Sequence, residues 1–206
     1  FRPIVVPVYH PEVTAFEVLD ADESHLGVLY FDFFPREGKG QGAWCGNYVE
    51  QTYRDGERVA PVVSIVANFT RPTGDNPALL TLDEVETLFH EFGHALHFLF
   101  HDVKYRGLSE VEGDFVELPS QVMENWAFNP EVLKQYAVHY RTGDVMPEAL
   151  MAKIARSELF NQGFMTTELI AASLSDMDIH SMTEYAPFDP MEFERKVLNE
   201  KRGLIP

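Results

Sequence analysis

The chain has 206 residues, of which 16 are basic and 33 acidic, giving a formal charge of −17 at pH 7. That balance argues against nucleic acid as a partner, because phosphate binding needs clustered Lys and Arg, and no apolar run reaches the roughly 18 to 20 residues of a membrane span. Apolar residues make up 45 %, enough to bury a core, and the single cysteine, Cys45, excludes an intrachain disulfide.

In chain order, Phe1-Arg2-Pro3-Ile4 shows neither an initiator Met nor a signal-peptide pattern, and Gly203-Leu204-Ile205-Pro206 does not read as a designed stop. The chain is therefore expected to be a piece of a longer protein. The first 70 residues read as β-rich. Val13 to Leu19 and Leu26 to Phe34 are strand candidates on either side of the turn Asp20-Ala21-Asp22-Glu23-Ser24, a hairpin pattern. Pro35 to Gly42, with three glycines, reads as a loop. Val62 to Phe69 is a third strand, and one idea for it is an exposed strand that holds substrate backbone by strand addition. An ordinary internal strand is the plainer reading. Arg71 to Pro77 is a second loop.

After Leu80 the pattern becomes helical. Thr81 and Glu84 have the spacing of a capping box, and Val85, Leu88, Phe89, Phe92, Leu96 and Leu99 recur at intervals of three and four. Further helices are expected at about 114–128, 130–141, 147–174 and 190–200, separated by Gly and Pro breaks. The order of elements predicts an α+β fold, with N-terminal antiparallel strands (1–70) followed by a mainly helical part (81–206).

The chemistry concentrates in His90-Glu91-Phe92-Gly93-His94. Four residues apart on a helix, His90 and His94 project from one face, one turn apart, and can share one metal ion. Glu91 is placed to take a proton from a water activated by that ion. This is an H-E-x-x-H pattern, for which Zn²⁺ is the usual metal. Gly93 costs about 1 kcal/mol relative to Ala inside a helix, which suggests a close approach by a strand or a substrate. His97 lies near the same face, but three ligands from one straight helix would surround an ion poorly, so it reads as a support behind the ligands or as packing. A third ligand has to come from elsewhere. Glu110, Glu112, Asp114, Glu117 and Glu124 are candidates, and Asp114-x-x-Glu117 also has capping-box spacing. Spacing alone leaves this choice open.

Phe89 to His97, Asp114 to Gln121, Glu124-Asn125-Trp126 and Tyr30 to Lys39 together resemble the thimet oligopeptidase family of zinc peptidases. Ala43 to Gln51 and Pro77-Ala78-Leu79-Leu80 look closest to its bacterial dipeptidyl carboxypeptidase branch. The likeness runs through most of the chain to about Trp126, with a slightly shorter interval from His94 to Glu117, and more loosely beyond. It implies a zincin-like catalytic core, Zn²⁺ held by His90, His94 and Glu117, and Glu91 as the base. Glu86, four residues before His90, and Glu124 are candidates to orient the histidines, with a solvated carboxylate on a helix face as the alternative for both. The implied function is hydrolysis of short peptides, with release of C-terminal dipeptides. Internal cleavage is the alternative, as is an inert zinc-binding piece that lacks the Tyr- and His-bearing segment and the channel wall found in the family. The expected setting is the cytoplasm, with the periplasm as the second choice.

Overall fold

The computed structural model describes residues 1–204 other than Glu158 and Tyr185. It contains two compact units, Phe1–Pro147 and Glu148–Pro206.

The first unit is α+β. Its main sheet takes β1 (Arg2–Ile4), β2 (Thr14–Leu19), β3 (His25–Asp32), β4 (Trp44–Val49) and β7 (Val62–Val66) in the order β1-β2-β3-β7-β4. β1–β2, β2–β3 and β4–β7 are antiparallel, but β3 and β7 run parallel. The sheet is therefore mixed, which corrects the expectation of antiparallel strands throughout. The reason is topological: β3 and β4 are consecutive but not neighbours, because β7 lies between them. β1 was not anticipated. Pro3 lies within it and is tolerated because β1 is an edge strand. A separate hairpin, β5 (Thr52–Arg54) with β6 (Glu57–Val59), turns on Asp55-Gly56, whose φ values of 54° and 86° suit a two-residue turn.

β7 is paired on both sides and all but its first residue are buried. It cannot add a substrate strand, so the internal-strand reading holds and the strand-addition idea fails for this segment. The strand at that end of the sheet is β4.

Helix α1 (Leu82–Leu99) lies on the sheet. Ala95 and Leu99, both fully buried, join Val18, Leu29, Val63 and Ile65 in the core. The expected capping box is present: Glu84 N–H donates to Thr81 Oγ1 at 3.2 Å, and Thr81 N–H to Glu84 Oε2 at 2.8 Å. Glu84 Oε1 also accepts from the Thr70 amide at 2.7 Å, tying the start of α1 to the chain leaving β7. α2 (Leu118–Ala127) and α3 (Pro130–Tyr136) follow and are shorter than expected. Residues 114–117 are turns, and the chain departs from the helix after Tyr136.

In the second unit, α4 (Glu148–Ser157) and α5 (Gln162–His180) replace the single helix expected at 147–174. Leu159 to Asn161 form a turn, and Asn161 adopts a left-handed conformation (φ 58°) that no helix interior accepts. Glu158, also in that expected helix, lies outside the described residues. α6 (Pro190–Glu194) is capped by Asp189 and continues into a π-helical stretch, Arg195–Glu200. The Asp178 carboxylate accepts from Lys201 and Arg202, which hold it well below the usual carboxylate range. Among the described residues, no helix is long and apolar enough to cross a membrane.

A buried ionic cluster fixes the loop between β3 and β4. Asp32, 2 % exposed, accepts from both Arg36 guanidinium nitrogens at 2.6 and 2.7 Å, from Lys39 at 2.9 Å and from the Tyr9 hydroxyl at 3.0 Å. Burial alone would raise its pKa. The Arg36, Lys39 and Tyr9 hydrogen bonds outweigh that and bring it to about 2. A depressed folded-state pKa adds stability that is fully present above about pH 4, the ordinary Asp range, and is lost as pH falls towards 2. Asp32→Asn leaves Lys39 buried without its counter-charge. It should destabilise the fold by about 3–5 kcal/mol at pH 7 and flatten the loss of stability between pH 4 and 2, both readable from denaturant midpoints.

Candidate metal centre

α1 supplies two imidazoles and the turn entering α2 supplies a carboxylate. His90 Nε2 and His94 Nε2 each lie 3.2 Å from the same oxygen, Glu117 Oε2. The three donor atoms are all within 4.8 Å of one another, and they are the one such grouping of three or more His, Cys, Asp or Glu found among the described residues. The spacing suits an ion. Four ligands at the 2.0–2.1 Å typical of zinc stand about 3.3 Å apart at the corners of a tetrahedron.

Two helices make this convergence. Gly93 sits on α1 between the histidines, facing the first turn of α2. A Cβ there would lie 2.5 Å from both Pro119 O and Ser120 Cα. The close approach expected at Gly93 is real, but the partner is a helix rather than a strand or substrate. α2 begins at Leu118, so Glu117 itself is the N-cap residue, and its side chain makes no capping bond. The capping-box reading of Asp114-x-x-Glu117 is thereby removed. Pro119, second in the helix, lacks only an N–H that would have no helical partner there.

The remaining candidates divide clearly. Glu110, Glu112 and Asp114 are exposed and outside the grouping. Glu124, on α2, accepts from His90 Nδ1 at 2.6 Å. That bond leaves His90 Nε2 free to face Glu117, the arrangement by which carboxylates orient metal-bound histidines. Glu86 is half-buried one turn before His90. His97 packs beside Phe98 and edge-on to His101, whose ring centroid is 4.7 Å away.

The electrostatics follow from burial and neighbours. Glu91 is 6 % exposed, and its Oε2 is buried with no hydrogen-bond partner among the described residues. Burial raises its pKa; His90 opposes the rise and Glu117 adds to it. The His94 pKa is lowered, chiefly by burial. The Glu117 carboxyl is held low first by the Ser120 hydroxyl and then by the two histidines. An orphaned buried carboxylate oxygen beside three converging donors fits a centre that takes a cation and a proton. Cys45, on β4, lies close enough to Glu91 to feel its charge. Burial together with that charge pushes the thiol up to about 12, which keeps it protonated and apolar at neutral pH.

Two features were missed in the sequence. Ser120 holds Glu117 and could have been noticed as a hydroxyl three residues on. β4 beside Glu91 was obscured by Gly46 and Asn47, which are poor strand formers.

Comparison with known proteins fits this geometry. A family model described as peptidase family M3 matches residues 3–204. The chain is 44 % identical over 204 residues to dipeptidyl carboxypeptidase of Escherichia coli, covering 98 % of this chain and 30 % of that protein. It is 39 % identical over 191 residues to oligopeptidase A of Salmonella typhimurium, covering 91 % and 27 % respectively. Saccharolysin of Saccharomyces cerevisiae is 35 % identical over 182 residues, covering 84 % and 26 %. The chain thus spans less than a third of the length of these relatives.

Gly93→Ala separates packing from propensity. On a free helix the change would stabilise by about 1 kcal/mol. Here the added methyl meets backbone atoms of α2, so the expected outcome is a loss of about 1–3 kcal/mol. Zinc affinity should fall with it as Glu117 is driven outward. Thermal unfolding and zinc titration of the variant check both, and an unchanged or raised midpoint would refute the packing argument.

Proposed function

Because the chain belongs to peptidase family M3, we propose that it forms the zincin-like, zinc-binding core of a metallopeptidase that acts on short peptides and releases C-terminal dipeptides. The observation that carries this reading is the convergence of His90 Nε2 and His94 Nε2 on Glu117 Oε2 beside the buried Glu91.

His90 and His94 would hold zinc through Nε2 and Glu117 through Oε2. When bound, zinc supplies Lewis acidity, which lowers the pKa of a water and polarises a peptide carbonyl. Glu124 keeps the His90 proton on Nδ1 and the ring in register. Glu91 accepts the water proton on its carboxylate as the water attacks the carbonyl carbon, and then delivers that proton to the leaving amine. Its burial keeps bulk water from competing for the same oxygen. β4 is the strand best placed to hold the peptide. It ends the sheet and pairs only with β7 among the described residues, and Cys45 within it lies near Glu91. An extended substrate can add to that free edge through main-chain hydrogen bonds.

Dipeptide release is favoured by the higher identity to the dipeptidyl carboxypeptidase, whereas the match to oligopeptidase A supports internal cleavage as the second reading. Paired peptides with free and amidated C-termini distinguish them. A dipeptide-releasing enzyme that recognises the carboxylate loses a charged hydrogen bond of about 1.5–3 kcal/mol on amidation, roughly 10- to 100-fold in kcat/KM. Equal turnover of both peptides would favour internal cleavage.

Glu91→Gln tests the base. Hydrolysis should fall by about 10²- to 10⁴-fold while zinc content stays at the wild-type level. Near-normal turnover in that variant would sink the assignment, and zinc without turnover in the unaltered protein would favour an inert metal-binding piece.

A further inference from the structure

We propose that Ser120 is a positioning residue that aims Glu117 at the metal, coupling the α1–α2 contact to ligand geometry. The inference rests on the reading of Glu117 as a zinc ligand. Ser120 is fully buried. Its Cα is one of the two atoms that a Cβ at Gly93 would strike, so its backbone sits at the point where the two helices touch. Its hydroxyl has one proton and two acceptors in reach: the Glu117 carbonyl oxygen at 2.9 Å and Glu117 Oε2 at 2.7 Å. The carbonyl already accepts the Gln121 amide at 2.9 Å, as the first turn of α2 requires. The carboxylate is nearer and charged, so it takes the hydroxyl proton.

Glu117 needs such a restraint. Its side chain is half exposed, and a free Glu has several rotamers that point into solvent. Oε2 is the same oxygen that faces both histidines. One of its lone pairs accepts from Ser120, and the other remains for a cation shared with His90 and His94. The carboxylate is thereby oriented before a cation arrives, and the cost of ordering it is met during folding rather than during binding. A buried anchor on α2 thus fixes a flexible ligand at the entrance to the same helix.

The test uses the native polypeptide and measures zinc affinity in chelator-buffered titrations, with the unfolding midpoint of the metal-free protein recorded beside it. Ser120→Ala removes the hydroxyl, and Ser120→Cys keeps a side chain of similar size with a weak donor. Both should weaken zinc binding by about 10- to 100-fold while the metal-free midpoint moves little. Glu117→Ala is measured in parallel. If it binds zinc as tightly as the unaltered protein, the ligand assignment itself fails. If Glu117→Ala loses zinc but both Ser120 variants bind within twofold of the unaltered protein, only the positioning role fails. A loss in Ser120→Ala that tracks a fall in the metal-free midpoint would assign Ser120 to packing and overturn the proposal.

Discussion

The close contact between α1 and α2 at Gly93 is the constraint on which the site depends. Two of the three converging donors come from one face of α1, and no third residue of that helix can complete the set. The third has to be delivered by another element, within a few tenths of an ångström of the right place. A glycine without a side chain lets the backbone of Pro119 and Ser120 settle against α1, and Glu117 stands one residue before that turn. The helix gives up about 1 kcal/mol of intrinsic propensity at Gly93, and the buried approach of two helices offsets it.

α1 can serve as a platform only because both its ends are fixed to the sheet. At the start, Glu84 closes the capping box and also binds the Thr70 amide beyond β7. Near the end, Ala95 and Leu99 are buried with Leu29, Val63 and Ile65, and a Cβ at Gly27 on β3 would lie 2.7 Å from Pro61 O and 2.8 Å from Leu99 Cδ2. The Asp32 cluster secures a different boundary. By gathering Arg36, Lys39 and Tyr9 around one buried carboxylate, it fixes the loop that carries the chain from β3 to β4, the strand beside Glu91. Asn68 adds to this by donating to the carbonyls of Gly40 and Gly42 in the same loop.

Much of this could be read from local pattern, but only where the determinants are local. α1 is legible in full, because its cap, its apolar period and its histidine pair are all short-range. Glu117 is not, because capping-box spacing and ligand spacing coincide and only the position of α2 separates them. The resemblance to known peptidases pointed to Glu117, the carboxylate that stands with the two histidines in the structure, while the residues alone left five open. The strands were found where β-branched and aromatic residues dominate. β4 was overlooked because Gly46 and Asn47 dilute its composition, and the pairing of β3 with β7 is a long-range choice that no short window contains. The break before α5 rests on one residue, Asn161, in a conformation its neighbours do not announce.

The insertion of β7 between β3 and β4 has a consequence for assembly. A hairpin of β3 with β4 would be the quick local product, yet it is excluded from the final sheet. In the finished sheet, β7 pairs with both, so neither strand has all its neighbours until that later, nearly all-buried segment is in place. Non-local pairing of that kind is slow, and open apolar edges invite association between chains. The same strand then leads through Thr70 into the cap of α1, so the segment that completes the sheet is also the one that launches the helix carrying His90 and His94. Sheet closure and site formation are thus joined in sequence, and a chain stalled before β7 docks would have neither a finished core nor a place to hold an ion.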